Sequence, residues 1–356
     1  MTKIPFNTVI KKLRYERVLL VGGGGFIGHH LATELRKHHV TAMVVDNMMV
    51  NSLVDNTFYD GGDVSKRSLN LHFLMSRFEL MRELGVEFRN CDARNFADLA
   101  NVFKDFSPTK VIHLAAIASA VEARKNPGMC FDLQLTTLRN VLELCRLGHA
   151  KTSTLMFLSS STVYGDFEDD WVDETTRPRP RGIYANTKYM GERLVRTYCH
   201  TNGIGTCIIR PSALYGERCV SRRVSQAFIE NALSGRPLRL EGGGEGLLDF
   251  TYIDDLVNGM IRALALHGGS GESDTFNLTY GSARSIAELA DIVKKIIPNT
   301  ILETRPKALD KPIRGTLRMD KARERLGFYP KWPIEDGYKK YCEWYVTQWE
   351  KVMRTN

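Results

Sequence analysis

Tyr184 and Lys188 stand four residues apart, a spacing that puts two side chains on one face of a helix. An ammonium beside a phenol stabilises the phenolate and draws the tyrosine pKa toward a working range. A tyrosine so placed can take a hydroxyl proton while hydride leaves the carbon that bears it. Upstream, Ser159-Ser-Ser-Thr-Val-Tyr-Gly165 offers a hydroxyl to polarise the same oxygen. Such chemistry needs a hydride acceptor, and the glycine-rich segment Gly22-Gly-Gly-Gly-Phe-Ile-Gly28 has the form of a turn that can cradle a dinucleotide.

In that segment Gly22 permits the tight turn, Gly25 lets the backbone approach a pyrophosphate, and Gly28 allows close packing of helix on strand, with positive potential at the helix N-terminus. The next apolar run ends in Val44-Val45-Asp46. A carboxylate there accepts hydrogen bonds from ribose hydroxyls and repels a 2′-phosphate, which favours NAD(H) over NADP(H). Asp92, after Val86-Glu-Phe-Arg-Asn-Cys91, either meets the adenine edge or is an ordinary loop acid.

These groups must be held by elements that the chain punctuates clearly. Short apolar runs at Arg17–Val21, Thr41–Val45, Lys110–Leu114, Leu155–Leu158 and Gly205–Ile209 alternate with amphipathic stretches, the pattern of a parallel, doubly wound α/β sheet of Rossmann type. Ile27, Leu31 and Leu35 recur every four residues, so the glycine turn opens a helix with one apolar face. Between Asp46 and Asp92 the chain is longer than a crossover needs. This stretch, a lid or an insertion, includes Asn56–Gly62 and a helix from about Leu69 to Leu84. After residue 211 the segments become Gly- and Pro-punctuated and read as a smaller C-terminal substrate-binding lobe. The organisation is therefore 1–16 as an N-terminal extension exposed to solvent, 17–211 as the dinucleotide domain, and 212–356 as mainly the substrate lobe, with some segments returning to the sheet.

The chain of 356 residues carries a net charge of +8 and is 43% hydrophobic. Its Lys and Arg are scattered with no aromatic interleaving, which argues against nucleic-acid binding. Seven cysteines include no CxxC and no metal-ligand spacing, so they read as reduced packing residues with no metal site. No apolar run is long enough to span a bilayer, and residues 1–16 lack the apolar stretch of a secretory signal. A cytoplasmic protein without membrane attachment is expected.

The glycine turn, His113-Leu-Ala-Ala116, Ser159–Gly165, Tyr184 with Lys188, Arg210-Pro-Ser-Ala-Leu-Tyr-Gly216 and Asp249-Phe-Thr-Tyr-Ile-Asp-Asp255 resemble, in that order, the extended short-chain dehydrogenase/reductases. More narrowly, they resemble the nucleotide-sugar epimerase/dehydratase branch that contains the UDP-sugar 4-epimerases. The resemblance runs from about residue 17 to 345. It implies a catalytic triad of Ser160, Tyr184 and Lys188, with Ser159 or Ser161 as the hydroxyl in a shifted register. It further implies an NAD site formed by Gly22, Gly25, Phe26, Ile27, Gly28, Asp46, Asn47, Asp92 and Ala115, with the nicotinamide against Tyr184 and its ribose touching Lys188. A homodimer built through helices around 128–147 and 184–201 is implied as well.

The residues beside the serine narrow the reaction. Related 4,6-dehydratases carry an acidic pair after the hydroxyl, where this chain has Ser161 and Thr162, neither a useful acid near neutral pH. Related decarboxylases commonly carry glutamate at the position of Thr162. Where hexuronate-specific relatives often place an arginine, this chain has Val121, with Arg124 one turn on. What remains is oxidation at C4 of a nucleotide-diphosphate sugar and hydride return to the opposite face, a 4-epimerase. A 4-keto reductase or dehydrogenase would use the same residues. A non-catalytic NAD- or RNA-binding relative would have an eroded triad, and this triad is intact. Ser160 and Ser161 are expected at the sugar and Arg218 and Arg314 at the diphosphate. Leu248 replaces an arginine common in relatives, and Arg222, Arg223 or Arg239 are candidates to compensate.

Overall fold

The computed structural model describes residues 4–53, 57, 64–117, 119–148, 152–221, 223–267, 269, 271–307 and 312–355. Apart from Thr57, the Asn56–Gly62 stretch lies outside the described residues, as do Arg222, Asp310 and Lys311.

The first half alternates strand and helix: β1 (Arg17–Val21), α1 (Phe26–Lys37), β2 (Thr41–Asp46), α2 (Val64–Glu83), β3 (Glu87–Asn90), α3 (Phe96–Phe106), β4 (Lys110–His113), α4 (Thr137–Arg146), β5 (Thr154–Leu158), α5 (Gly182–Thr201) and β6 (Gly205–Pro211). The later chain adds α6 (Ile253–Leu266), β7 (Ser273–Leu278) and α7 (Ile334–Thr355). All seven strands form one parallel sheet in the order β7-β6-β5-β4-β1-β2-β3. The order reverses between β1 and β4, which opens a crevice at the carboxyl ends of those strands where α/β sheets bind ligands.

Side-chain alternation divides the interior into two cores. Val18, Leu20, Val44, Ile112 and Met156 face α1, α2 and α6 through Leu31, Leu35, Phe73 and Leu256. Leu19, Val21, Val45, Val111 and Phe157 face α3, α4 and α5 through Leu99, Phe103, Leu138 and Val195. Both faces of each central strand are buried, which explains the unbroken apolar runs in the sequence.

One organisational reading needs correction. The N-terminal extension is not simply solvated. It forms a short helix, Phe6–Ile10, that packs on α6 and buries Val9, Ile10 and Leu13. The apolar residues at positions 6, 9, 10 and 13 share one helical face. The later chain also returns to the sheet. Strand β7 completes the sheet beside β6. Conversely, Trp171–Val172 pairs with Thr316–Leu317, and Val163, Tyr164, Phe167, Val172 and Leu317 share a small core. In the later part of the chain, Leu238–Glu241 pairs with Leu302–Arg305, and Gly242, Gly243 and Gly244 form a turn with φ of 58°, 69° and 81°. Two segments far apart in sequence meet at Arg262 in α6, whose Nη1 donates to the carbonyls of Ile4 (3.1 Å) and Leu326 (3.2 Å).

Candidate functional site

Glycine is required where β1 turns into α1. Gly22 has φ of 80°, and a Cβ on it would lie 2.4 Å from the Ala115 nitrogen, because β4 ends directly beside the turn. A Cβ on Gly28 would lie 2.4 Å from the Gly23 carbonyl oxygen, so that glycine seats the helix against the turn. Gly25 differs: the nearest atom to its Cβ would be 3.7 Å away, leaving open space at the N-terminus of α1. That is the cradle a pyrophosphate needs.

Asp46 ends β2 beside this turn. One carboxylate oxygen accepts from the Gly24 N–H (2.9 Å) and the other from the Met48 N–H (2.8 Å). Burial pushes its pKa up, while hydrogen bonds from the Met48 and Gly24 backbone pull it down. Each oxygen retains acceptor capacity, so a ribose diol fits the position. Asn47 accepts from the Met49 N–H through its side chain (3.0 Å). Asp92 is engaged by Arg94 through Nε at 3.0 Å and Nη2 at 2.6 Å, a contact that holds its carboxyl below the usual range. It enters the site as half of an ion pair.

Across the crevice, Ser160 caps the short helix Ser161–Tyr164. Its Oγ accepts from the Thr162 N–H (3.2 Å) and the Thr162 hydroxyl (3.0 Å). The Tyr184 phenol, in the first turn of α5, is raised by burial and pulled back by the Arg223 charge and by a hydrogen bond with Ser160. Lys188, one turn on, is buried and donates from Nζ to the Leu158 carbonyl (2.8 Å). Burial draws its ammonium down to about 8, opposed by Cys130 and Glu192. The Ser160 hydroxyl thus lies close enough to act on the Tyr184 phenol, and Lys188 reaches the end of β5. The structure differs from the sequence expectation in two respects: burial leaves the Tyr184 pKa above its ordinary value, and the groups that pull it down are Arg223 and Ser160 rather than Lys188, which donates to a backbone carbonyl. Ser161 is buried. His113 bonds Thr137 through Nε2 (3.0 Å) and is held neutral by burial, with its pKa near 3.

The two expected phosphate arginines lie in different places. Arg314 donates from Nη1 to the carbonyls of Gly165 (2.7 Å) and Ser161 (3.4 Å), on the loop that carries Ser160. Arg218 lines a separate cavity of about 670 Å³ whose wall includes none of the triad residues.

Three residues of the site escaped sequence reasoning. Glu192 receives the Ser159 hydroxyl (2.5 Å) and pairs with Arg210 (2.6 Å), both buried. Glu192 follows Lys188 by one further turn, a spacing that could have marked it. Arg77 of α2, 1% exposed, donates from Nη1 to the Gly24 carbonyl (3.3 Å) and from Nη2 to the Arg218 carbonyl (2.6 Å). Nothing in the local sequence distinguishes it from a surface arginine. Among the described residues no cluster of His, Cys, Asp and Glu could hold a metal ion, and no helix is long and apolar enough to cross a membrane.

A family model described as the NAD dependent epimerase/dehydratase family matches residues 18–279. The UDP-glucuronate 4-epimerase 1 of Arabidopsis thaliana is 29% identical over 349 residues, covering 93% of this chain and 76% of the relative. A UDP-glucuronate 4-epimerase of Thermodesulfobacterium geofontis is 28% identical, with coverage of 92% and 95%. Among solved structures, the Thermus thermophilus UDP-glucose 4-epimerase in complex with NAD superposes with a TM-score of 0.76 at 26% identity, covering 93% of this chain and 99% of that one.

Proposed function

Because the chain belongs to the NAD dependent epimerase/dehydratase family, we propose that it is a nucleotide-sugar 4-epimerase that oxidises C4 transiently and returns hydride to the opposite face. The observation that carries this reading is the open cradle at Gly25 in a chain that keeps Ser160, Tyr184 and Lys188, with no acid at positions 161 and 162 to eliminate water. NAD is the cofactor, and when bound it supplies the hydride acceptor and donor.

The protein's own groups do the rest. Tyr184 takes the C4 hydroxyl proton and later gives it back, and Ser160 hydrogen-bonds the same oxygen in both directions. Lys188 orders the end of β5 through Leu158. Gly22, Gly25, Phe26, Ile27 and Gly28, with Asp46, Asn47 and Ala115, make up the dinucleotide cradle. Arg314 is the diphosphate contact best supported by position, since it shares the Ser160 loop. The relatives named UDP-glucuronate 4-epimerases favour a hexuronate over a neutral hexose. Arg223, whose charge acts on Tyr184, is a candidate to meet its carboxylate.

A homodimer is supported by apolar side chains left in solvent on neighbouring helices: Met129 and Phe131 at 36% and 42% exposure, and Met190 and Leu194 on α5 at 46% and 48%. All seven cysteines are unpaired thiols, which suits the reducing cytoplasm and a role in carbohydrate biosynthesis there.

The first test is to denature freshly purified protein and identify the released nucleotides by mass spectrometry. Near-stoichiometric NAD supports an epimerase that recycles its own hydride, whereas an empty protein that exchanges cofactor each turnover points to a reductase. Incubation with UDP-glucuronate and UDP-glucose, followed by chromatography for the 4-epimers, then identifies the sugar. Failure with both would overturn the epimerase reading for UDP sugars.

A further inference from the structure

The cavity that Arg218 lines has no part in the chemistry above. It lies on the α1, α2, α6 face of the sheet, whereas Tyr184 belongs to the helix that covers the other face. Much of its wall comes from outside the family match of 18–279: Phe6 from the N-terminal helix, Trp332 before α7, and Lys340 and Trp344 within it. At about 670 Å³ it is within the size range of small-molecule sites.

Its charges are unevenly satisfied. Glu217 accepts the Tyr252 hydroxyl at 2.6 Å, and Asp255 accepts the backbone N–H groups of Lys331 (2.8 Å) and Trp332 (2.9 Å). Glu34 pairs with Lys37 at 3.1 Å and Asp254 with Lys340 at 3.5 Å. Arg218 feels the neighbouring Glu217 charge but forms no ion pair within 4.0 Å with any described carboxylate, and its Nε is buried without a hydrogen-bond partner. Its guanidinium lies 5.9 Å from the Trp344 ring centre, and the Lys340 ammonium lies 4.7 Å from that of Trp332. A guanidinium on a cavity wall with no carboxylate bonded to it suits an anion, and the neighbouring tryptophans suit a flat ring. The rim carboxylates of Glu34 and Asp254 suit vicinal hydroxyls.

We propose that this cavity is a second, non-catalytic nucleotide site that takes a nucleoside monophosphate, with its phosphate on Arg218 and its base against Trp344 and Trp332. The site is connected to the cofactor. Arg77 donates to the Arg218 carbonyl on one side and to the Gly24 carbonyl of the dinucleotide turn on the other. A ligand that repositions Arg218 therefore acts on the loop that holds the pyrophosphate. Such coupling is reciprocal, so NAD binding changes affinity at the cavity by the same factor.

The test is equilibrium dialysis of labelled adenosine 5′-monophosphate against the full chain saturated with NAD and UDP, which blocks both catalytic subsites. The expected result is one saturable equivalent per chain, with affinity at least tenfold weaker in Arg218→Gln and in Trp344→Leu. Lys340→Met, a change at a half-exposed residue, supplies a weakened variant if either of those fails to fold. Trp344→Leu should retain turnover. In the absence of UDP, the nucleotide should shift the NAD Kd severalfold in the wild type and not in Arg77→Lys. No saturable binding, or binding unchanged in all folded variants, would overturn the site. Binding with an unchanged NAD Kd would overturn the connection through Arg77.

Discussion

Glu192 and Arg210 meet side by side inside the protein, Nε to Oε1 at 2.9 Å and Nη2 to Oε2 at 2.6 Å, with side-chain exposures of 1% and 4%. The same carboxylate takes the Ser159 hydroxyl, so one ion pair joins the tyrosine helix α5, strand β6 and the serine loop. Removing one partner of such a pair strands a buried charge at a cost of about 3–5 kcal/mol. Glu192→Ala should show that loss in urea unfolding. Any folded fraction should have a reduced kcat because Ser160 loses its register to Tyr184. Full stability in that variant would contradict this account of the site.

Tyr184→Phe deletes the proton-transferring hydroxyl and little else. Turnover should fall by roughly 10²–10⁴-fold, while the NAD content of the purified protein stays at the wild-type level by chromatography. A variant with near-normal kcat would shift the base to another group.

Lys188 gives a signed pH dependence. Its pKa is about 8 in the folded protein against 10.5 for the free side chain, so the unfolded chain binds the extra proton between those values. Stability of the cofactor-free protein should rise as pH climbs from about 8 to 10.5, and the full interval is worth roughly 3 kcal/mol. Lys188→Met should flatten that rise in unfolding curves measured across the range. An equal slope in wild type and variant would assign the proton elsewhere.

The glycines of the turn should separate by function. Gly28→Ala forces its Cβ into the Gly23 carbonyl, and overpacking of this kind costs roughly 1–3 kcal/mol, visible as a lowered Tm without ligand. Gly25→Ala meets nothing nearer than 3.7 Å and should leave that Tm almost unchanged. Its methyl occupies the pyrophosphate cradle, so NAD affinity should drop by tenfold or more in a calorimetric titration.

The legible parts of this protein were those determined locally. All five apolar runs read as strands occur as strands, because burial on both faces of a parallel sheet writes a continuous signal into each. Strands β3 and β7 carried no such signal. Glu87-Phe-Arg-Asn90 sits at the sheet edge with mostly exposed side chains, and Ser273-Asp-Thr-Phe-Asn-Leu278 begins with two polar residues. Ser160 with Tyr184 was recoverable from motif order. Tyr184 and Lys188 share a helix face as their spacing requires, yet the spacing could not show that Lys188 reaches the Leu158 carbonyl. Arg77 and Arg218 were opaque for the same reason: their positions follow from how α2 and α7 pack on the rest of the molecule. The apolar face of Phe6–Leu13 was legible and was read too cautiously because lysines surround it.

The clasp at Arg262 ties two carbonyls near opposite chain ends, Ile4 and Leu326, to one side chain. During synthesis the first of these leaves the ribosome long before the second exists. Residues 4–13 must therefore wait beside a growing sheet until α6 has emerged, and the clasp closes only when the segment ending α7's approach, Leu326 included, has been released. A nascent chain halted after residue 300 would hold the Phe6–Ile10 helix against α6 alone, with the Leu326 half of the clasp still missing.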